Sequence, residues 1–140
     1  MSPVSFETAA PTPLDPFADG LRVLVVEDSS TARVWLSHLL RSLAPQAELL
    51  EASDGKAALR LLSSRAVDLI VCDLHMPGMD GASFLQLLRR NSLLRRKPVL
   101  VVTAAPQDAG MELEQDPCAR ILPKPLQAEA LRLGMLALLR

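Results

Sequence analysis

The sequence predicts an α/β fold: a doubly wound, five-stranded parallel sheet with helices on both faces. Three observations carry that prediction. Short apolar runs alternate with amphipathic stretches five times along the chain. The runs are near-continuous in Val, Ile and Leu, as strands covered on both faces must be. The chain has 140 residues, 49% of them apolar, which is enough for one ordinary core and too short for two domains. Right-handed crossovers then restrict the topology to a doubly wound sandwich.

The elements follow in order. Residues 1–20 hold four of the eleven prolines (Pro3, Pro11, Pro13, Pro16) and keep no helical or strand period, so they read as a flexible leader. Phe6 and Phe17, two of the three phenylalanines, lie in it and give it a means of docking on the domain or on a partner. Residues 21–140 form the domain. Leu21–Val26 is a β-branched run that ends abruptly in acids. Ser30–Leu43 places Leu36, Leu39, Leu40 and Leu43 on one helical face. Ala47–Glu51 is a second short strand. Asp54 caps a helix to Ser64, with Leu59 and Leu62 facing inward. Val67–Cys72 is a third strand and again ends in an acid. Asp80 caps a helix to about Asn91, with Phe84, Leu85 and Leu88 on its buried stripe. Pro98–Val102 is a fourth strand, Gln107–Gln115 a weak helix, Arg120–Leu122 a fifth strand and Leu126–Leu139 the closing helix.

Composition narrows the function classes. A net charge of −1 gives no electrostatic reason to expect nucleic acid or an anionic membrane. Cys72 and Cys118 lack CxxC spacing, and neither His lies where a zinc site would need it. Cys72 reads as a small buried hydrophobe, and the two thiols together fit a reducing, cytoplasmic setting. The N-terminus lacks the pattern of a secretory signal, and no run of about 18 apolar residues is present to span a membrane.

In such folds ligands bind outside the carboxyl ends of the strands. Glu27 and Asp28 follow the first strand, Asp73 the third, Thr103 the fourth and Lys124 the fifth. Carboxylates converging at one rim repel: two unit charges at about 4 Å cost about 4 kcal/mol at an effective dielectric near 20. Lys124 supplies one compensating charge. A hard cation such as Mg²⁺, which takes one or two carboxylates and completes its shell with water and phosphate oxygens, would supply two more. Spacing alone leaves a second reading open, a salt-bridge cluster around Lys124 with acids at exposed loop starts.

The motifs shift the balance. They are Val25-Val26-Glu27-Asp28, then Asp73-Leu74-His75-Met76-Pro77-Gly78-Met79-Asp80-Gly81, then Val101-Val102-Thr103-Ala104, then Leu122-Pro123-Lys124-Pro125. In this order and spacing they closely resemble the receiver domain of bacterial two-component response regulators, over about residues 21–140. The resemblance implies a flavodoxin-like strand order, 2-1-3-4-5. It implies that Asp73 accepts a phosphoryl group from a phosphohistidine on a sensor histidine kinase or a phosphotransfer protein. Asp28 and Asp73 would bind Mg²⁺ directly, Glu27 directly or through a water, and the main-chain carbonyl of His75 would complete the protein ligands. Thr103 and Lys124 would hold phosphoryl oxygens, and the Lys124–Pro125 bond would be cis. The modified form would then shift a population and present the fourth helix, fifth strand and last helix to a downstream protein target.

Some positions depart from the family's pattern. Glu27 stands where Asp is more usual, and His75 and Ala105 occupy variable positions that tune phosphoryl lifetime. Ile121 lies where the family usually has a rotating Tyr or Phe. Pro106, Gly110 and Pro117 fall in or beside the fourth helix, which points to a short or mobile element. With no output domain after Arg140, the expectation is a stand-alone receiver or a piece of a longer regulator.

Arg89, Arg90, Arg95, Arg96 and Lys97 read as a solvated face at a helix C-terminus rather than a nucleic-acid patch, because no aromatic residues interleave. His38 falls off the leucine stripe and reads as a surface residue, and Trp35 as cover for the stripe's edge. The last helix has more leucines than one face must bury; they read first as core packing and second as a homodimer contact. The alternative to a phosphorylated switch is a receiver-like interaction module that is never phosphorylated. An aspartyl phosphatase is disfavoured because His75 stands where such enzymes carry their second acid, so the chain is read as no enzyme beyond modifying its own Asp73.

Overall fold

The computed structural model describes residues 20–139; the proline-rich leader lies outside them apart from Gly20. Each predicted strand and helix is present. Strand β1 (Arg22–Val26), helix α1 (Ser30–Leu43), β2 (Glu48–Ala52), α2 (Gly55–Ser64), β3 (Leu69–Asp73), α3 (Gly81–Arg90), β4 (Val99–Thr103), α4 (Gly110–Glu114), β5 (Ala119–Pro123) and α5 (Ala128–Leu139) follow one another. All four strand pairings are parallel, in the order β2-β1-β3-β4-β5.

Side chains alternate across the sheet and build two cores. Leu24, Val26, Ile70, Cys72, Val99 and Val101 point to one face and pack against Ala58 and Leu62 of α2, Phe84, Leu85 and Leu88 of α3, and Leu113 of α4. Val23, Val25, Leu69, Val71, Leu100 and Val102 point to the other, against Leu36 and Leu40 of α1 and Leu131 and Met135 of α5. The α1 stripe is as expected at Leu36 and Leu40; Leu39 and Leu43 are half-buried at its margin. In α2 the inward pair is Ala58 and Leu62, with Leu59 only partly covered.

Caps set the helix starts. Ser29, Asp54 and Asp80 accept from the main-chain N–H groups of Ala32, Ala57 and Ser83, satisfying donors that the first turn leaves free. The fourth helical segment differs from the expected single helix. A 3₁₀ turn at Pro106–Asp108 comes first, and Gly110 enters α4 at φ +80°, so only five residues remain in the helix. Proline starts the first piece and the left-handed glycine breaks the register to the second. Helix α5 starts two residues later than its apolar pattern suggests, because Leu126 is buried in the loop that carries the cis Lys124–Pro125 bond.

The start of α3 lies directly on the strand that carries Asp73. Gly81 N–H donates to the Leu74 carbonyl at 2.6 Å, and a Cβ at Gly81 would stand 2.8 Å from the Asp73 main-chain oxygen and 2.9 Å from Leu74 Cα. Both obstacles are backbone and cannot rotate away. Gly81→Ala is therefore expected to cost about 1–3 kcal/mol, read as a lower urea midpoint at unchanged slope. An unchanged midpoint would show that the β3–α3 turn yields more easily than this contact implies.

Candidate functional site: an acidic rim with one lysine

The carboxyl ends of β1 and β3 are adjacent in the sheet, with Val26 opposite Cys72. The residues that follow them therefore meet. One carboxylate oxygen from each of Glu27, Asp28 and Asp73 lies within 4.8 Å of the others. Glu27 is buried, Asp73 half-buried and Asp28 exposed. Lys124 arrives from the far end of β5. Its Nζ donates to Asp73 Oδ2 at 3.0 Å and stands 3.6 Å from Glu27 Oε1.

The charges explain the titration of this group. Burial raises the Glu27 pKa above the ordinary carboxylate value; the Ser29 N–H and the Lys124 charge oppose it, and the Asp73 charge adds to the rise. For Lys124, partial burial acts to lower the pKa, but the Asp73 hydrogen bond and the two carboxylate charges outweigh it and raise the value. Directly beneath, the Cys72 thiol is pushed up to about 12, first by burial and then by the Asp73 and Glu27 charges.

Each site residue expected from the sequence lies among the described residues. Glu27, Asp28, Asp73 and Lys124 come together as expected. The His75 main-chain N–H donates to Asp73 Oδ1 at 3.1 Å, which shows how tightly the chain folds back after the strand. Its imidazole pairs with Asp108 of the 3₁₀ turn at 3.2 Å, an interaction with no local signal along the chain. Thr103 is completely buried at the end of β4. Its hydroxyl accepts the Ala105 N–H at 3.0 Å, while its carbonyl accepts the Lys124 N–H at 2.8 Å, which joins the β4 and β5 ends. The expected role of Trp35 holds in part. It is half exposed, and with Ala32, Leu36, Val102, Pro125 and Leu126 it lines a cavity of about 290 Å³ beside Asp73 and Lys124.

Two structural residues were missed. Arg33 hydrogen-bonds the Glu27 carbonyl at 2.6 Å and pairs with Glu51 at 2.9 Å. Arg89, read above as part of a solvated face, is instead a clamp. It pairs with Asp116 at 2.7 Å and donates to the Lys97 and Cys118 carbonyls, tying the end of α3 to the start of β5. A basic residue at a helix end looks the same in sequence whether it meets solvent or a loop from elsewhere in the chain.

The donor set suits a small hard cation. All the converging groups are oxygens, which Mg²⁺ prefers; oxygens around a six-coordinate Mg²⁺ at ~2.1 Å stand ~3–4 Å apart. The 4.8 Å cluster needs only a small contraction to reach that spacing.

A doubly wound sheet with an acidic cluster and one lysine at the carboxyl rim defines a narrow class of α/β phosphotransfer domain. The model of the response regulator receiver domain matches residues 23–135, and the chain belongs to that family. Chemotaxis protein CheY of Pseudomonas aeruginosa is 38% identical over 113 residues, covering 80% of this chain and 90% of that protein. The solved structure of the chemotaxis response regulator CheY4 of Vibrio cholerae superposes with a TM-score of 0.72 at 30% identity, covering 86% of this chain and 99% of the other. The receiver domain of a Pseudomonas aeruginosa sensor histidine kinase, solved with a magnesium ion coordinated in its active site cleft, gives 0.69 at 28% identity, covering 85% and 98%. The protein is thus a receiver domain of phosphorylation-dependent two-component signalling, and domains of this family work with histidine kinases and downstream targets. Among the described residues no helix is long and apolar enough to cross a membrane.

The burial of Cys72 gives a direct test of the packing under the rim. Cys72 is 1% exposed, whereas Cys118 is half-buried in the turn before β5. At pH 8 a thiol reagent should modify Cys118 first and reach Cys72 only after denaturant is added, because a thiol with a pKa of about 12 offers almost no thiolate there. Equal rates at both thiols would mean that the sheet end is open.

Proposed function

We propose that this protein is a switch that takes a phosphoryl group on Asp73, with Glu27, Asp28, Asp73 and the His75 main-chain carbonyl as the ligands of Mg²⁺. One observation carries the reading: the Asp73 carboxylate sits at the rim within reach of two further carboxylates and 3.0 Å from a lysine ammonium. A carboxylate nucleophile needs no proton removed. An Asp73 oxygen forms the new O–P bond as the P–N bond of a phosphohistidine breaks in line, and the imidazole leaves with the bonding pair. Catalysis of such a transfer is mostly positioning and charge neutralisation. Mg²⁺ would supply the neutralisation that three carboxylates and a phosphoryl group require. Lys124, already on Asp73, takes a phosphoryl oxygen, and Thr103, whose hydroxyl accepts the Ala105 N–H, has its own hydrogen to donate to another.

The finer partners follow from this reading. The phosphoryl donor is a sensor histidine kinase or a phosphotransfer protein in the cytoplasm. The output is contact with a downstream protein target through α4, β5 and α5, without direct nucleic-acid binding. Leu133, exposed on α5, is available to a second copy of the chain. The chain acts as no enzyme on other substrates. Ile121 in place of an aromatic, beside a five-residue α4, favours a second reading, an interaction module that is never modified.

Incubation with acetyl phosphate and Mg²⁺ should add a single phosphate by intact mass, absent when the metal is chelated beforehand and absent in Asp73→Asn. Unchanged uptake by Asp73→Asn would remove Asp73 as the acceptor. No uptake by the unaltered protein would favour the unmodified module.

A further inference from the structure

Arg33 lies one turn into α1, yet its side chain serves the loop before the helix. Nη1 donates to the Glu27 main-chain carbonyl at 2.6 Å, and Nε donates to Glu51 Oε1 at 2.9 Å. The side chain is 21% exposed. Glu27 and Asp28 follow the last residue of β1, so the sheet no longer dictates where their peptide planes point. The Glu27 N–H still bonds the Ala52 carbonyl of β2 at 3.0 Å, which fixes one side of the residue. Arg33 fixes the other side. Glu51, two residues before Glu27 in register terms (it pairs with Val25), anchors the guanidinium to the sheet. The Ser29 N–H meets Glu27 Oε2 at 3.1 Å, and the Ser29 carbonyl accepts the Arg33 N–H at 2.9 Å, which closes the turn.

We propose that Arg33 is a positioning residue for the metal site: by holding the Glu27 carbonyl against α1 and β2, it aims the Glu27 and Asp28 carboxylates at Asp73. The proposal rests on the reading of those three acids as Mg²⁺ ligands. A rigid two-armed donor is what the task needs, since a guanidinium offers two donors at a fixed angle and an ammonium does not. Partners that orient ligands in this way typically matter about 10- to 100-fold in metal affinity.

Charge and positioning predict opposite signs. Arg33 is a cation held on the Glu27 main chain, so electrostatics alone says that removing it should, if anything, tighten the binding of a dication. Loss of positioning should weaken it. The experiment counts free Mn²⁺, which shares the octahedral oxygen preference of Mg²⁺, by its paramagnetic resonance signal in titrations of the full chain, Arg33→Met and Arg33→Lys. Arg33→Met is expected to bind about tenfold more weakly. Arg33→Lys should be intermediate, because it keeps the charge but can satisfy only one of the two acceptors. If Arg33→Met binds as tightly as the unaltered chain or more so, the inference is overturned. Should Arg33→Met fail to fold by circular dichroism, Arg33→Lys decides alone: a few-fold loss supports the proposal and equal affinity overturns it. A failure to bind Mn²⁺ by the unaltered chain would overturn the metal reading itself, and this inference with it.

Discussion

The contact between Lys124 and the carboxylates of Asp73 and Glu27 is the interaction on which the rest of the rim depends. Three acids held within 4.8 Å repel one another, each pair at about 4 Å costing about 4 kcal/mol at an effective dielectric near 20. One ammonium cannot cancel three negative charges. It can hold the cluster together while leaving it net negative, and a net-negative pocket of oxygens is what a divalent cation requires. The raised pKa of Glu27 is the trace of this deficit: burial and neighbouring acids outweigh the help from Lys124 and the Ser29 N–H.

Holding such a cluster demands rigidity from the surrounding backbone. The sheet supplies most of it. β1 and β3 are central neighbours, each covered on both faces, so the positions from which Glu27 and Asp73 depart are fixed by ladders on either side. Lys124 has a longer route, since β5 is an edge strand two places from β3 and three from β1. Its loop is pinned by the Thr103 carbonyl on one side and by buried Leu126 on the other. Gly81 matters for the same reason. A helix start can press on the Asp73 carbonyl only where no Cβ intervenes, and that pressure keeps the β3–α3 turn from relaxing away from the acids.

How much of this was legible in the sequence depended on the range of the interaction. Alternation of apolar runs and helical stripes placed every element except α4 within a residue or two, because burial on both faces leaves a continuous β-branched signature that local chemistry does not disguise. The convergence of Glu27, Asp28, Asp73 and Lys124 was legible because every strand in a parallel sheet ends at the same rim. Asp54 and Asp80 announced their helices as caps. What escaped was chemistry between loops far apart in the chain. Nothing near Arg89 points to Asp116, and nothing near His75 points to Asp108. Arg33 looked like one more polar residue on an amphipathic helix, since the carbonyl it holds has no signature at all. The α4 segment was read as weak for the right reason, but proline and glycine do not say where the break falls between them.

The same segment bears on how the proposed switch would transmit its state. The Thr103 hydroxyl holds the Ala105 N–H and its carbonyl holds the Lys124 N–H, so the β4 and β5 ends are mechanically one unit. In the usual arrangement an aromatic ring beside that unit swings between an inward and an outward position. Ile121 is half-buried against the core that includes Ala109 and Leu113. It carries neither the flat ring nor the hydroxyl with which a Tyr trades one set of partners for another on changing rotamer. Allosteric couplings need only about 1–3 kcal/mol, and the short α4 is well placed to supply it. Entered through a left-handed glycine and only five residues long, it is held to α3 by an exposed Gln86–Glu112 hydrogen bond and, just past its end, by the Arg89–Asp116 pair. Displacing it costs far less than moving a long helix buried along its length. In the proposed switch the movable part would therefore be the backbone of the β4–α4 connection rather than the rotamer of a single ring.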